Sequence, residues 1–172
     1  MSFMTARTIS TRRLDLLPLH VEHAEEMAAV LSDPALHTFI GGTPDTAQVL
    51  RSRYQRMTAG SPDPAVAWLN WVIQLRDESC LTGTVQATIS PGVRGAVAEI
   101  AWVVGTPWQG SGIATEAAQG LAGWLSRPPV HAIIAHVHPE HRASAAVAAA
   151  AGLTPTNEWH DGEIRWHRSV RP

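Results

Sequence analysis

Apolar and polar positions first alternate in Arg13-Leu14-Asp15-Leu16-Leu17-Pro18-Leu19, a strand pattern. Over 20–31 the period changes to 3.6, with Ala24, Met27, Ala28 and Leu31 on one face, which predicts a helix. Ser32-Asp33-Pro34 stops it, Gly41-Gly42-Thr43-Pro44 marks a loop, and a second helix over 45–59 closes at Gly60-Ser61-Pro62. Three β-rich runs follow, 66–75, 81–89 and 97–104, divided by Asp77-Glu78 and by Pro91-Gly92 with Gly95, as in an antiparallel meander. A third helix is predicted over 112–126, with Ile113, Ala117, Leu121 and either Trp124 or Leu125 facing a core; Pro128-Pro129 ends it. Then come a strand over 130–137, an Ala-rich helix over 140–151 with Gly152 as its left-handed terminator, and two short strands flanking Asp161-Gly162. This order describes an α+β domain with a mixed sheet.

Composition narrows what such a domain does. The chain has 172 residues, and a domain of that size buries roughly 70% of the surface its unfolded chain exposes. No repeat or linker interrupts it, so a single domain over 1–172 is expected. A hydrophobic fraction of 45% and seven Trp supply a core that disordered chains lack. The formal net charge is -2 and no basic run tracks a phosphate backbone, which argues against nucleic acid as a partner. All 13 basic residues are Arg. Without lysine there is no Schiff-base, Walker or general-base lysine. Cys80 is the sole cysteine, so an intramolecular disulfide, a thiolate zinc cage and a Cys-x-x-Cys pair are all excluded. Residues 1–13 carry Arg7, Arg12 and Arg13 without the roughly 7–15 apolar residues of a signal peptide. A cytoplasmic location is the expectation. The longest apolar run, from Ile100, is broken by Gly105, Pro107 and Gly110, so no membrane span is predicted.

The most informative local pattern follows the fourth strand. Gln109-Gly110-Ser111-Gly112 places two residues without side chains directly before a helix, where unpaired N–H groups and the helix dipole favour an anion. Glycine lets the backbone approach phosphate oxygens closely. A plain turn that starts a helix has the same appearance. Among phosphate motifs, a Walker loop fails for want of lysine. A nicotinamide dinucleotide fingerprint fails because Thr115 stands at the third glycine and 127–139 contains no ribose-binding acid.

What remains resembles the GNAT superfamily of N-acetyltransferases, whose acetyl-CoA loop reads Gln/Arg-x-x-Gly-x-Gly/Ala; Gln109, Gly112 and Ala114 fill its specified positions. The branch of ribosomal-protein alanine acetyltransferases is similar over most of the chain. Its segments here are Thr11-Arg12-Arg13-Leu14, Leu17-Pro18-Leu19, Ser32-Asp33-Pro34, Glu99-Ile100-Ala101-Trp102-Val103, Trp108 through Ala117, and Pro139-Glu140-His141-Arg142-Ala143-Ser144. The resemblance implies a mixed, mostly antiparallel sheet flanked by helices, with the fourth and fifth strands splayed apart. It implies acetyl-CoA held by Gln109, Gly110, Ser111, Gly112, Ile113, Ala114 and Thr115, by the backbone of Trp102, Val103 and Val104, and by His141 and Ser144. The branch usually has Asn at the position of His141 and Phe at that of Leu153.

Acetyl transfer to an amine needs a neutral nitrogen, whereas an α-amine with pKa about 8 or a lysine amine near 10.4 is largely protonated at pH 7. By resemblance Glu99 lies beside the thioester, where burial would make it a better base; the alternative is a buried structural acid. The departing CoA thiolate benefits from a proton donor. Many relatives use tyrosine, but the single tyrosine, Tyr54, is far in sequence from the cofactor elements, so Ser144 is the candidate; a helix hydroxyl bonded to the preceding turn is the alternative. His131, His136, His138 and His141 surround the fifth strand without an evident acidic partner, and no metal site is expected. Cys80 lacks a histidine nearby in sequence, which favours direct transfer in a ternary complex. Trp71 and Trp108 are candidate cleft residues. The acceptor's walls are expected at 34–45 and at the Asp161-Gly162 hairpin with Glu158, Asp161 and Glu163. The acceptor is expected to be a peptide or protein N-terminal amine, or a small-molecule amine, on a monomer or homodimer. The non-enzymatic alternative is an acyl-CoA sensor.

Overall fold

The computed structural model describes residues 4–170, so both ends of the expected 1–172 domain lie outside the described residues. Eight strands form one sheet in the order β1-β2-β3-β4-β5-β6-β8-β7. They are β1 (Ile9–Ser10), β2 (Leu14–Pro18), β3 (Ala67–Leu75), β4 (Cys80–Ser90), β5 (Ala96–Val104), β6 (Val130–Val137), β7 (Thr154–His160) and β8 (Glu163–Ser169). Every neighbouring pair is antiparallel except β5 with β6. That exception follows from α4 (Ile113–Leu125), which carries the chain back so that β6 starts at the same end as β5. The fourth and fifth strands of the sequence pattern are therefore β5 and β6, because the two-residue β1 is too short to leave a period of its own.

Helices cover both faces. On one, α1 (Ala24–Val30) and α3 (Ala47–Ala59) close a cluster of Leu19, Met27, Leu50, Tyr54, Val72 and Leu81. On the other, α4 and α5 (Arg142–Ala150) cover Leu69, Trp71, Ile73, Ile100 and Ile133. Alternation along β3 serves both layers, with Trp71 and Ile73 turned one way and Val72 the other. In α4 the predicted stripe of Ile113, Ala117 and Leu121 is buried. Leu125 completes it, while Trp124 is half-buried and meets Trp71 edge-on at 5.4 Å.

Local departures have local causes. The first predicted helix opens as a 3-10 turn over Val21–His23 before α1. The loop expected after Pro34 holds a 3-10 turn over Pro34–Leu36, started by Asp33, which accepts a hydrogen bond from Ala35 N–H at 2.9 Å, and then the one-turn α2 (His37–Ile40). Four residues are too few to show helical periodicity. The last two strands are seven residues each, joined by a tight turn with φ 49° at Asp161 and 81° at Gly162, the left-handed pair that such hairpins require. Among the described residues, no helix is long and apolar enough to cross a membrane.

Candidate active site

The parallel pairing of β5 and β6 is brief. It runs from Ala96 opposite Val130, through one extra β6 residue at His131, to Glu99 opposite Ile134, and there it ends. Beyond that vertex β5 stays with β4 as far as Val104 opposite Gly83, while β6 is drawn away by β8, Val137 lying opposite Ile164. The splayed strand pair implied by the resemblance is thus present. Gly105 N–H donates to Thr82 O at 2.8 Å, which fixes the alternation of the β4–β5 ladder. Val103 directs its backbone groups to Thr84, and Trp102 and Val104 turn theirs to the gap. Of the three residues expected to offer backbone donors, two face the fork; Val103 lines it otherwise.

The fork opens into a cleft of about 1130 Å³ that reaches the glycine loop. A 3-10 turn over Thr106–Trp108 leads to Gln109, whose side-chain Nε2 donates to Val104 O at 3.0 Å and so ties the loop to the end of β5. Gly110 and Gly112 have φ of 80° and 81°, values that side chains rarely adopt. Gly112 is the N-cap of α4 and offers no side-chain acceptor to the first turn. The N–H groups of Ile113, Ala114 and Thr115 are therefore without an intrahelical acceptor, at the positive end of a 13-residue helix. All three residues line the cleft. Ser111 does not; its hydroxyl donates to Trp108 O at 2.9 Å.

A brace holds this loop from outside. Arg13 Nε donates to Glu116 Oε1 at 2.7 Å, Arg13 Nη1 to Ser111 O at 2.9 Å and the Arg13 backbone N–H to Glu116 Oε2 at 2.8 Å. Thr11 Oγ1 also donates to Glu116 Oε2. Burial acts to raise the Glu116 pKa, but the hydrogen bonds from Thr11 and Arg13, with the Arg13 charge, outweigh it and hold the carboxyl below its ordinary range. Thr11, Arg13 and Glu116 all lie within segments that carry the family resemblance, yet nothing in the sequence pairs residues 103 positions apart.

Glu99 stands at the vertex of the fork, but not as a buried acid. Its side chain is 51% exposed, so the expected burial is absent. It is oriented instead by a partner that the sequence did not reveal. His136 Nδ1 lies 3.3 Å from Glu99 Oε2, and Arg165 Nε donates to His136 Nε2 at 3.1 Å. Because a guanidinium only donates, Nε2 accepts and the ring proton sits on Nδ1, where it points to Glu99. Register explains the chain: His136 follows Ile134 on the same face of β6 and lies opposite Arg165 on β8.

The four histidines divide rather than cluster. His131 bonds Ala96 O at 3.1 Å at the closed end of the fork, and His138 accepts from Glu140 N–H at 3.1 Å. His141 caps the start of α5, its ring stacked on Phe39 at 4.3 Å and 9°. Its Nε2 is 3.4 Å from Ser144 Oγ. Burial and then neighbouring His138 lower the His141 pKa, partly opposed by Glu163. Both His141 and Ser144 line the cleft. No group of three or more His, Cys, Asp or Glu among the described residues is placed to hold a metal ion.

The segments expected to wall the acceptor reach the cleft only in part. Leu36, His37, Phe39 and Asp45 line the cleft, as do Trp71 and Trp108, but of the three hairpin acids only Glu163 reaches it. Glu158 pairs with Arg165 at 3.4 Å and Asp161 with His160 at 3.3 Å. Tyr54, remote in sequence, also lines the cleft, from α3; burial pushes its phenol up to about 12.

Residues 13–154 match the family model described as the acetyltransferase (GNAT) domain. No curated protein matches the chain. Among solved structures, RimL, a ribosomal L7/L12 α-N-protein acetyltransferase in complex with coenzyme A, is similar with TM-score 0.77 at 17% identity, over 95% of this chain and 98% of that one. The ribosomal-protein-S5-alanine acetyltransferase from Vibrio fischeri gives TM-score 0.78 at 16% identity, over 95% and 97%. A spermidine N-acetyltransferase from Vibrio cholerae, in complex with CoA and spermine, gives 0.73 at 16%, over 93% and 97%. At these identities the likeness is one of fold.

Proposed function

The chain belongs to the GNAT acetyltransferase family, and from that membership we propose that it moves an acetyl group from acetyl-CoA to a primary amine by direct attack within a ternary complex. The observation that carries this reading is the fork between β5 and β6, which opens beside Glu99 and runs to the glycine loop within one cleft. The residues of that loop fit the cosubstrate. Unpaired N–H groups at Ile113, Ala114 and Thr115 suit a pyrophosphate, and the gap-facing backbone of Trp102 and Val104 suits the amides of a pantetheine arm. Acetyl-CoA supplies the activated acyl group, and the chain's own residues bind, orient and move protons. The reducing chemistry of the cytoplasm suits its lone thiol.

An acceptor that arrives as an ammonium must first lose a proton. The half-exposed Glu99 carboxylate takes it, directly or through one water. His136 bonds one carboxylate oxygen and holds the rotamer, which leaves the other oxygen for the amine. Backbone N–H groups at the gap edge stabilise the negative charge that develops on the thioester oxygen. Ser144 Oγ–H donates to the departing sulfur, with His141 near enough to hold that hydroxyl in place.

The test is release of CoA thiol with an amine panel. Glu99→Gln lowers kcat by about 100-fold or more, the typical scale of general base catalysis. The loss is greatest below the pH at which the acceptor deprotonates by itself, while acetyl-CoA affinity is retained. An unchanged pH–rate profile removes Glu99 as the base, and tight acetyl-CoA binding without thiol release for any amine replaces the enzyme with a sensor.

A further inference from the structure

The face of the cleft formed by α2, α3 and β3 has a chemistry of its own. Its apolar wall is made by Leu36 and Phe39, by Leu50, Tyr54 and Met57 of α3, and by Trp68 of β3, which keeps 38% of its surface exposed, beside a floor of the uncharged polar Asn70, Gln86 and Thr88. Charge on this side is sparse. Asp45 and Arg53 bond each other at 3.0 Å, and Glu99 accepts a hydrogen bond from the neutral His136 ring, which leaves its charge in place. Among the described residues, Glu163 is the cleft carboxylate without a basic partner.

Two polar groups on the same wall lack partners. Tyr54 is only 3% exposed, and its hydroxyl has no hydrogen-bond partner among the described residues. His37 places Nδ1 3.2 Å from Gly41 O, and since a carbonyl only accepts, Nδ1 carries the proton and Nε2 is left as an acceptor. That Nε2 is buried and unpartnered.

We infer that the acceptor is a primary amine carrying a bulky apolar or aromatic group, seated on this wall with a polar atom against Tyr54, and that polycationic amines are poor acceptors. One ammonium is served by Glu99 and Glu163. A second or third would have to leave water for an apolar wall that offers no carboxylate in return. An unpaired phenol in an apolar wall selects for an acceptor that completes its hydrogen bond, because a ligand lacking that atom leaves the group unsatisfied. The chemistry is found at a peptide N-terminus that begins with a large apolar residue, and in free aromatic amines. The turnover expected of such amines rests on the acetyl-transfer reading above; their binding does not.

Calorimetry on the whole protein, with and without CoA, separates the two. Phenylalanine amide is expected to bind about 100-fold more tightly than glycinamide or spermidine, the scale set by burying one aromatic ring. Met57→Asp weakens it at least about 10-fold and leaves CoA affinity within two-fold, and Tyr54→Phe, which keeps the ring, weakens it selectively for acceptors with a polar atom. A hexapeptide beginning with Phe, compared with phenylethylamine, identifies the source of the amine by the tighter binder. Spermidine binding as tightly as phenylalanine amide, no aromatic amine binding at all, or indifference to Met57→Asp overturns the inference. If phenylalanine amide binds as expected but no amine releases CoA thiol from acetyl-CoA, the wall assignment stands and the acetyl-transfer reading falls.

Discussion

Around the glycine loop, Arg13, Thr11, Gln109 and Glu116 hold named atoms at hydrogen-bond distance; across the cleft, Leu19, Met27, Leu50 and Tyr54 hold one another by apolar contact. The first half is directional, and replacing one partner strands another. Apolar packing in the second half is set by volume, and exchange among large side chains is tolerated there. Under the proposed function, the chain keeps a fixed cosubstrate grip while its acceptor wall drifts.

The largest expected effect breaks the directional half. Gly112→Val forces a left-handed φ on a branched residue and brings its Cβ to 3.4 Å from Arg13 Nη2, so that the branch presses on the brace. Acetyl-CoA affinity should fall at least about 100-fold by calorimetry, since strain of roughly 1–2 kcal/mol adds to the displacement of the braced loop. Undiminished binding in a variant with native circular dichroism would dissolve the contrast. Arg13→Gln sharpens it: the KM for acetyl-CoA should rise by about 10-fold with kcat nearly kept, because one charge-assisted brace is lost and the chemistry at Glu99 is not touched.

The same brace predicts an acid response. The folded-state pKa of Glu116 is lowered, so its ionised form contributes stability in full above the unfolded value of about 4.3, and that contribution is lost as pH falls through the lower folded value. Thermal melts from pH 6 downward should show the wild type losing its margin over Glu116→Gln, and a constant margin would mean the carboxylate is not held by its charge. The smallest effect is expected from Ser144→Ala. With solvent able to protonate a thiolate, kcat should fall only about 3- to 10-fold, without a change in acetyl-CoA affinity; a fall in affinity alone would make Ser144 a binding residue.

What the sequence disclosed follows the same division. The glycine loop could be read because it is made of consecutive residues, Gln109 to Thr115, with Gly110 and Gly112 at left-handed φ directly before a helix. The stripe of α4 was legible because its period is local. By contrast, the partners of Glu99 are brought together by strand pairing: His136 is 37 positions away on β6 and Arg165 lies on β8. Tyr54 was set aside for its distance along the chain, yet α3 folds it against the cleft. The expected burial of Glu99 failed because position 99 lies where the sheet stops being continuous, and an edge residue keeps contact with water. Segment α2 was missed since a helix of four residues has no period to detect.

The extra residue at His131 has a consequence of parity. It shifts β6 by one step against β5, after which Ala132 faces Val97 and Ile134 faces Glu99. Had pairing continued as at Ala96, Glu99 would lie opposite Ile133 and share a face with Ala135, and His136 would point to the other side of the sheet. A single inserted residue, its ring pinned to Ala96 O, therefore works as a phase setting for the site: it decides which side of the molecule the histidine serves, and so whether the carboxylate at the fork has a companion at all.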